Sequence, residues 1–124
     1  MKHLSNTVSR SVLHKFQRYD TAGDYMAIGR DDLYYISKNP LGWRAELAVL
    51  IHEMIEFNLC KEAGIKEKDI TKFDIESGLS DPGASKAAPY YEQHKIATKI
   101  EKQVVKALGL SWEEYDQSFN ELKY

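Results

Sequence analysis

The chain has 124 residues, 43% of them hydrophobic and 29% charged, which suits a globular protein with one modest core. The net charge of −2 comes from 17 basic and 19 acidic residues, and no basic stripe or long charge run stands out, so we expect no nucleic-acid partner. The chain start lacks the apolar stretch of a secretory signal and no apolar run reaches membrane-spanning length, so we expect a cytoplasmic protein without a membrane partner.

The N-terminal part of the chain predicts a small β-structure. Residues 5–19 are ambiguous, since they fit a helix but parts also tolerate an extended segment. Two β-rich runs follow, at residues 25–28 and 33–37, on either side of a turn-forming segment at 29–32. That pattern predicts a β-hairpin, one face of which could pack on the helix that comes next.

The strongest helical pattern runs from residue 43 to about residue 63, and Gly64 is suited to end it. Residues 66–73 predict a second, short helix. Residues 74–88 are rich in Gly, Ser, Asp and Pro, which predicts a long loop. A loop of this length in a small domain is often functional, for example as a lid or the wall of a cleft.

A second long helix is predicted from residue 90 to about residue 108, with Pro89 in its first turn. Ser111 and Glu114 match a capping box, which predicts that a last helix begins there. We therefore predict a single α+β domain over residues 1–124. A β-hairpin or small antiparallel sheet packs against two long helices and a C-terminal helix.

Two residues of the first long helix could bind a metal ion together. His52 and Glu56 are four apart, so they lie one above the other on one helix face. An imidazole and a carboxylate held that way can bind one divalent ion, as the two histidines of an H-E-x-x-H helix do. Apolar residues surround the pair, and charged groups in such a place need a partner or an ion.

The second long helix offers further polar groups on an otherwise apolar stripe, His94 and Glu101. The connection between the helices is long enough to reverse direction, so His94 could meet His52 and Glu56. Three protein ligands with a fourth position open is the pattern of a catalytic zinc site. Glu101 could be a fourth ligand, or it could orient a histidine through its second ring nitrogen. Its distance of two turns from His94 favours the orienting role.

Glu53 is the predicted catalytic residue. It follows His52 directly, so it points about 100° around the helix from it. In metallopeptidase helices the residue after the first ligand acts as the general base on metal-bound water. A simpler interpretation stays open, in which the histidines are hydrogen-bonded core residues, Glu53 is solvated, and Glu56 pairs with Lys61 or Arg44.

Four other polar residues could contribute to the same site. Tyr19 or Tyr25 could donate a hydrogen bond to an oxyanion, although aromatic packing on the sheet explains both more simply. Asp74 and Asp81 could line the cleft, although roles in turns and caps explain them better.

Several motifs follow one another between residues 14 and 115: Arg18-Tyr19-x-Thr21-x-Gly23-Asp24-Tyr25, His52-Glu53-x-x-Glu56, Leu59-Cys60, Gly64-Ile65, Phe73-Asp74, Asp81-Pro82-Gly83, Ala88-Pro89-Tyr90 and His94-x-x-Ala97. Together they resemble a group of small, mostly uncharacterised proteins of bacteriophages and bacteria. The resemblance implies a zincin-like fold and metal helix. The chain is also broadly similar to zinc metallopeptidases, in which a small sheet precedes the metal helix.

The chain departs from the commonest metallopeptidase pattern at Glu56, where a histidine is usual. The added carboxylate makes Zn²⁺ the first choice but also allows Mn²⁺ or Fe²⁺. The sequence thus predicts a metal-dependent hydrolase that acts on a peptide or small-molecule substrate. The alternative is a non-catalytic, phage-type protein that binds a host or phage protein, in which the site is structural or metal-free. A phage-encoded chain would act in the host cytoplasm.

Overall fold

The structure is a computed structural model that describes residues 2–8, as a strand, and residues 22–122. Its sheet contains β1 (Lys2–Val8), β2 (Gly23–Ile28) and β3 (Asp31–Ser37), in the order β1-β3-β2. Strands β2 and β3 pair antiparallel around a turn in which Gly29 has φ 61, so the predicted hairpin is confirmed. Strand β1 pairs with β3 in parallel and takes up the start of the ambiguous segment. The rest of that segment lies outside the described residues.

Four α-helices and two 3₁₀ turns follow the sheet in the described region: α1 (Trp43–Glu62), α2 (Glu67–Ser77), a turn at Pro82–Ala84, α3 (Tyr91–Ala107), α4 (Trp112–Ser118) and a turn at Phe119–Glu121. The two long helices and the terminal helix lie where the sequence predicts them, which confirms the α+β arrangement. At the start of α4, the hydroxyl of Ser111 accepts a hydrogen bond from the Glu114 backbone N–H at 3.1 Å, as a capping box requires. No helix within residues 22–122 combines the length and the hydropathy needed to cross a bilayer.

Helix α2 is longer than the sequence predicts. It continues to Ser77 and ends at Gly78, which adopts a left-handed conformation with φ 66. Glycine is the residue best suited to that position, so the helix ends there and not at Phe73. Asp74, which the sequence assigned to the loop, is therefore a buried helical residue.

Helix α1 lies at the centre of the fold, because it packs against α3 on one side and against β2 and β3 on the other. Ala48 of α1 and Ala97 of α3 are fully buried, and side chains of this size let helix backbones approach closely. On the sheet side, Tyr25 stacks on Phe57 with ring centroids 4.4 Å apart. The face of α1 that carries His52 is thus held against α3.

Candidate metal centre

Three of the predicted residues meet at the interface between α1 and α3. Nε2 of His52 lies 3.0 Å from Oε2 of Glu56, and Nδ1 of His94 lies 2.7 Å from the same oxygen. One potential ligand atom from each residue lies within 4.8 Å of the other two. The structure therefore brings His52, Glu56 and His94 into a cluster, here called the HEH cluster, that could hold a metal ion.

Packing of the long loop against α3 fixes the position of His94. The turn at Pro82–Ala84 runs so close to the imidazole that a Cβ atom on Gly83 would lie 2.5 Å from Cγ and Nδ1 of the ring. Only glycine allows that approach. The end of the loop is tied to α2 as well, since Tyr90, the buried residue that caps α3, donates a hydrogen bond from its hydroxyl to Asp74. Asp74 is thus a support for the loop and not the cleft residue that the sequence allowed.

Glu101 and Tyr115 support His52 on the side of the ring that faces away from Glu56. Nδ1 of His52, which points away from Glu56, lies 2.8 Å from Oε1 of Glu101. The hydroxyl of Tyr115 donates a hydrogen bond to the other oxygen of Glu101. Glu101 thus contacts the outer nitrogen of a histidine in the cluster, which is the orienting position that the sequence favoured. That contact fixes which nitrogen of His52 faces the cluster.

The other two members of the HEH cluster have similar partners. Tyr25 donates a hydrogen bond of 2.8 Å to Oε1 of Glu56, which leaves Oε2 to the two histidines. Asp81 lies 3.3 Å from Nε2 of His94 and is largely exposed. Each histidine of the cluster therefore has a second carboxylate on its outer nitrogen.

The histidines and carboxylates of the HEH cluster strongly shift one another's pKa values. Burial opposes protonation of His52, but its hydrogen bonds to Glu101 and Glu56 outweigh burial and raise its pKa well above the ordinary value. Burial likewise opposes protonation of His94, but hydrogen bonds to Asp81 and Glu56 raise its pKa to about 9. Burial would raise the pKa of Glu56, yet the two imidazoles lower it to about 2. These carboxylates therefore favour positive charge at the ring nitrogens, where a cation would bind.

Glu53 lies beside the cluster and lines the same cleft. Loss of hydration raises its pKa to about 8, and the negative charge of Glu56 adds to the effect. Within residues 22–122, no hydrogen bond holds its carboxyl group. Because a nearby positive charge lowers the pKa of a carboxyl group, a cation at the HEH cluster would shift Glu53 towards the carboxylate form, which accepts a proton.

The cleft has a volume of about 370 Å³ and lies between α1, α3, the loop before Pro82 and the C-terminal segment. Ser80, Asp81, Pro82 and Gly83 form one wall, so the prediction that the long loop lines a cleft holds for that part of it. Trp112 and Phe119 also line the cleft.

The structure changes the interpretation of several other residues. Lys61 pairs with Asp32 at 2.6 Å, so the alternative in which it pairs with Glu56 is wrong. Arg44 lies over the ring of Trp43, at 4.7 Å from its centroid. The Tyr25 hydroxyl is bonded to Glu56 and so does not act as a free oxyanion donor. Tyr19 lies outside the described residues.

The supporting residue that sequence reasoning missed is Tyr115. Its hydroxyl reaches Glu101 only because α4 folds back beside α3, and no motif in the sequence signals that contact. The capping box predicts where α4 begins, but it does not predict which face of α3 the helix meets.

Comparison of the chain with protein-family models, with curated proteins and with solved structures finds no match. The resemblance to phage and bacterial proteins, and the zincin-like assignment, therefore stay predictions. The function has to be inferred from the chemistry of the HEH cluster and of Glu53.

Proposed function

We propose that the chain is a metal-dependent hydrolase of the metallopeptidase type. His52, Glu56 and His94 would hold Zn²⁺, and Glu53 would act as the general base. The observation that carries this proposal is the convergence of two imidazoles on one carboxylate oxygen, at 3.0 and 2.7 Å, from two different helices. Each imidazole also has a carboxylate on its outer nitrogen, an arrangement that commonly accompanies metal-ligating histidines.

The donor set fits a zinc ion. Ligand atoms of a tetrahedral site with bonds of about 2.0–2.1 Å lie about 3.3 Å apart. The two nitrogen–oxygen distances are shorter than that by about 0.3 and 0.6 Å, and all three ligand atoms lie within 4.8 Å of one another, so side-chain movements would be needed to place them around an ion. Two nitrogens and a carboxylate oxygen also suit Mn²⁺ or Fe²⁺, which remain the alternative metals.

The residues around the cluster have separate roles in this proposal. A divalent ion held by the cluster would supply Lewis-acid chemistry, since it would lower the pKa of water and polarise a carbonyl group. Glu101 and Tyr115 keep Nε2 of His52 directed at the cluster, and Tyr25 keeps Oε2 of Glu56 there. Glu53 takes a proton from water in the cleft and passes it to the leaving group.

The size of the cleft supports a peptide or a small molecule as the substrate. Its volume of about 370 Å³ is in the range of ordinary ligand sites. A strand hairpin that precedes the metal helix supports the zincin-like assignment. The proposal includes no nucleic-acid or membrane partner, and it places the reaction in the cytoplasm, which is the host cytoplasm if a phage encodes the chain.

The test of this function is the variant Glu53→Gln, which keeps the shape of the side chain and removes its basicity. We expect zinc binding to be retained, while hydrolysis of a mixture of quenched fluorescent peptides falls by about 10²–10⁴-fold. Glu76→Gln is the matched control, because Glu76 is exposed on α2, lies outside the lining of the cleft and should have no effect. Full activity of Glu53→Gln would refute the proposed mechanism.

The hydrogen bonds to Glu56 and Glu101 favour a second candidate function, that of a non-catalytic binding protein. Oxygens of Glu56 and Glu101 meet His52, His94, Tyr25 and Tyr115, so the network could brace α1 against α3 without catalysis. The chain would then be a binding protein for a host or phage protein. In that case wild type with zinc would cleave no peptide in the mixture, while loss of His94 would lower the melting temperature.

A further inference from the structure

Four lysines lie on one exposed face of α3. Lys95, Lys99, Lys102 and Lys106 are spaced by four, three and four residues, which places them on one side of a helix. We call this set the lysine stripe. The linear sequence conceals it, because two or three other residues separate each lysine from the next, so the expectation that the chain has no basic stripe is wrong.

The stripe is unpaired within the described part of the chain. No ion pair among residues 22–122 involves any of the four lysines, and all four are exposed. Nζ of Lys102 lies 5.1 Å from the centroid of the Trp112 ring, a cation–π contact that brings no negative charge to the lysine. A concentration of positive charge on a chain with a net charge of −2 favours a negatively charged partner.

A second cleft connects the stripe to the metal centre. It has a volume of about 480 Å³ and lies between the Pro82–Ala84 turn and α3. Lys95, Lys99 and Lys102 line it. Asp81, Gly83, His94 and Thr98 line both this cleft and the first one. The two clefts thus share a wall that contains a residue of the HEH cluster.

Helix geometry gives the distance that a ligand would span. At about 1.5 Å per residue, Lys99 and Lys102 lie about 7.5 and 12 Å along the axis of α3 from His94. An extended peptide covers about 3.4 Å per residue. If one peptide bond of a ligand lies at the HEH cluster, the side chains roughly two to four residues further along that peptide would therefore lie beside Lys99 and Lys102.

We propose that the lysine stripe binds the carboxylate side chains of an acidic peptide, and that this peptide is the substrate of the site. The inference rests on the proposed hydrolase function. A peptide fits better than a nucleic acid because the carboxylates of Asp81 and Glu92 border the stripe and would repel a continuous phosphate backbone. The volume of this second cleft also suits individual amino-acid side chains of a peptide.

The experiment measures binding, so that it does not depend on turnover. A dye-labelled hexaglutamate peptide is titrated with the protein at low salt, by fluorescence anisotropy, with and without zinc. Hexaglutamine and single-stranded oligothymidylate with the same dye are the comparison probes. The test variant is Lys95→Gln/Lys99→Gln. Lys68→Gln/Lys72→Gln is the matched control, with the same charge change and spacing on exposed positions of α2.

We expect the test variant to bind hexaglutamate about fivefold more weakly than wild type, since each exposed ion pair contributes little. The control variant should bind as wild type does, and hexaglutamine should bind weakly to all three proteins. Equal binding by the test and control variants would overturn the proposal, and so would tighter binding of the oligothymidylate than of hexaglutamate.

The two proposals can fail separately. If the protein binds no zinc but holds hexaglutamate through the stripe, the hydrolase function fails and the acidic-peptide surface stands. If zinc binds at the HEH cluster and the stripe variant has no effect, the substrate class is wrong while the metal centre stands.

Discussion

Replacement of Gly83 by alanine is expected to weaken zinc binding although it removes none of the three ligands. The new Cβ atom would lie 2.5 Å from Cγ and Nδ1 of His94 and 2.8 Å from Cε2 of Tyr90. Ordinary contacts begin at 3.4 Å, so the imidazole has to move by about 0.9 Å. Zinc–ligand distances tolerate only about 0.2 Å.

Displacement of this size should reduce zinc affinity by about 10–100-fold, as loss of an orienting contact does. The added methyl group should also lower the free energy of unfolding by about 1–3 kcal/mol through overpacking. Calorimetric zinc titration measures the first effect, and thermal unfolding without zinc measures the second. Ala87→Ser adds one atom at an exposed position of the same loop and is the control. Zinc binding by Gly83→Ala as tight as that of wild type would refute the assignment of His94.

Three further predictions follow from the same geometry. Gly23→Ala places a Cβ atom 2.9 Å from Cγ1 of Val49 and 3.1 Å from Cγ of Glu53, so turnover should fall while zinc affinity, measured by calorimetry, stays unchanged; a loss of zinc affinity would contradict the separation of Glu53 from the ligands. Tyr115→Phe removes a buried hydrogen bond to Glu101 and should lower the free energy of unfolding by about 1–2 kcal/mol in urea titrations; no change would contradict its role. Zinc affinity should rise as the pH increases through the His94 pKa of about 9, because the raised pKa values of both histidines mean that protons must leave before the ion binds. Calorimetry in buffers of different ionisation enthalpy should detect those protons, and a pH-independent affinity would contradict the assignment.

The features that sequence reasoning predicted depend on local spacing. The bounds of α1 follow from apolar periodicity and from Gly64, and they agree with the structure to about one residue. The pairing of His52 with Glu56 follows from the helical repeat alone. The prediction that His94 approaches His52 and Glu56 needed one more assumption, a reversal of chain direction between the two long helices. The free-energy cost of burying unpaired charged groups favoured that prediction.

The features that the sequence did not reveal depend on tertiary packing. Tyr25 reaches Glu56 across 31 residues, and Tyr115 reaches Glu101 across 14, so neither contact has a sequence spacing that signals it. The parallel pairing of β1 with β3 is likewise non-local. The lysine stripe was missed for a different reason, since its residues become neighbours only when the sequence is placed on a helix.

The most direct test of the metal centre is a crystal structure of the protein with zinc, with data collected at the zinc absorption edge. We expect one anomalous peak bounded by Nε2 of His52, Nδ1 of His94 and Oε2 of Glu56, at about 2.0–2.2 Å from each atom. Glu101 should remain on Nδ1 of His52 and should not bind the ion. A cluster that keeps its hydrogen bonds while zinc is absent or bound elsewhere would contradict the proposal.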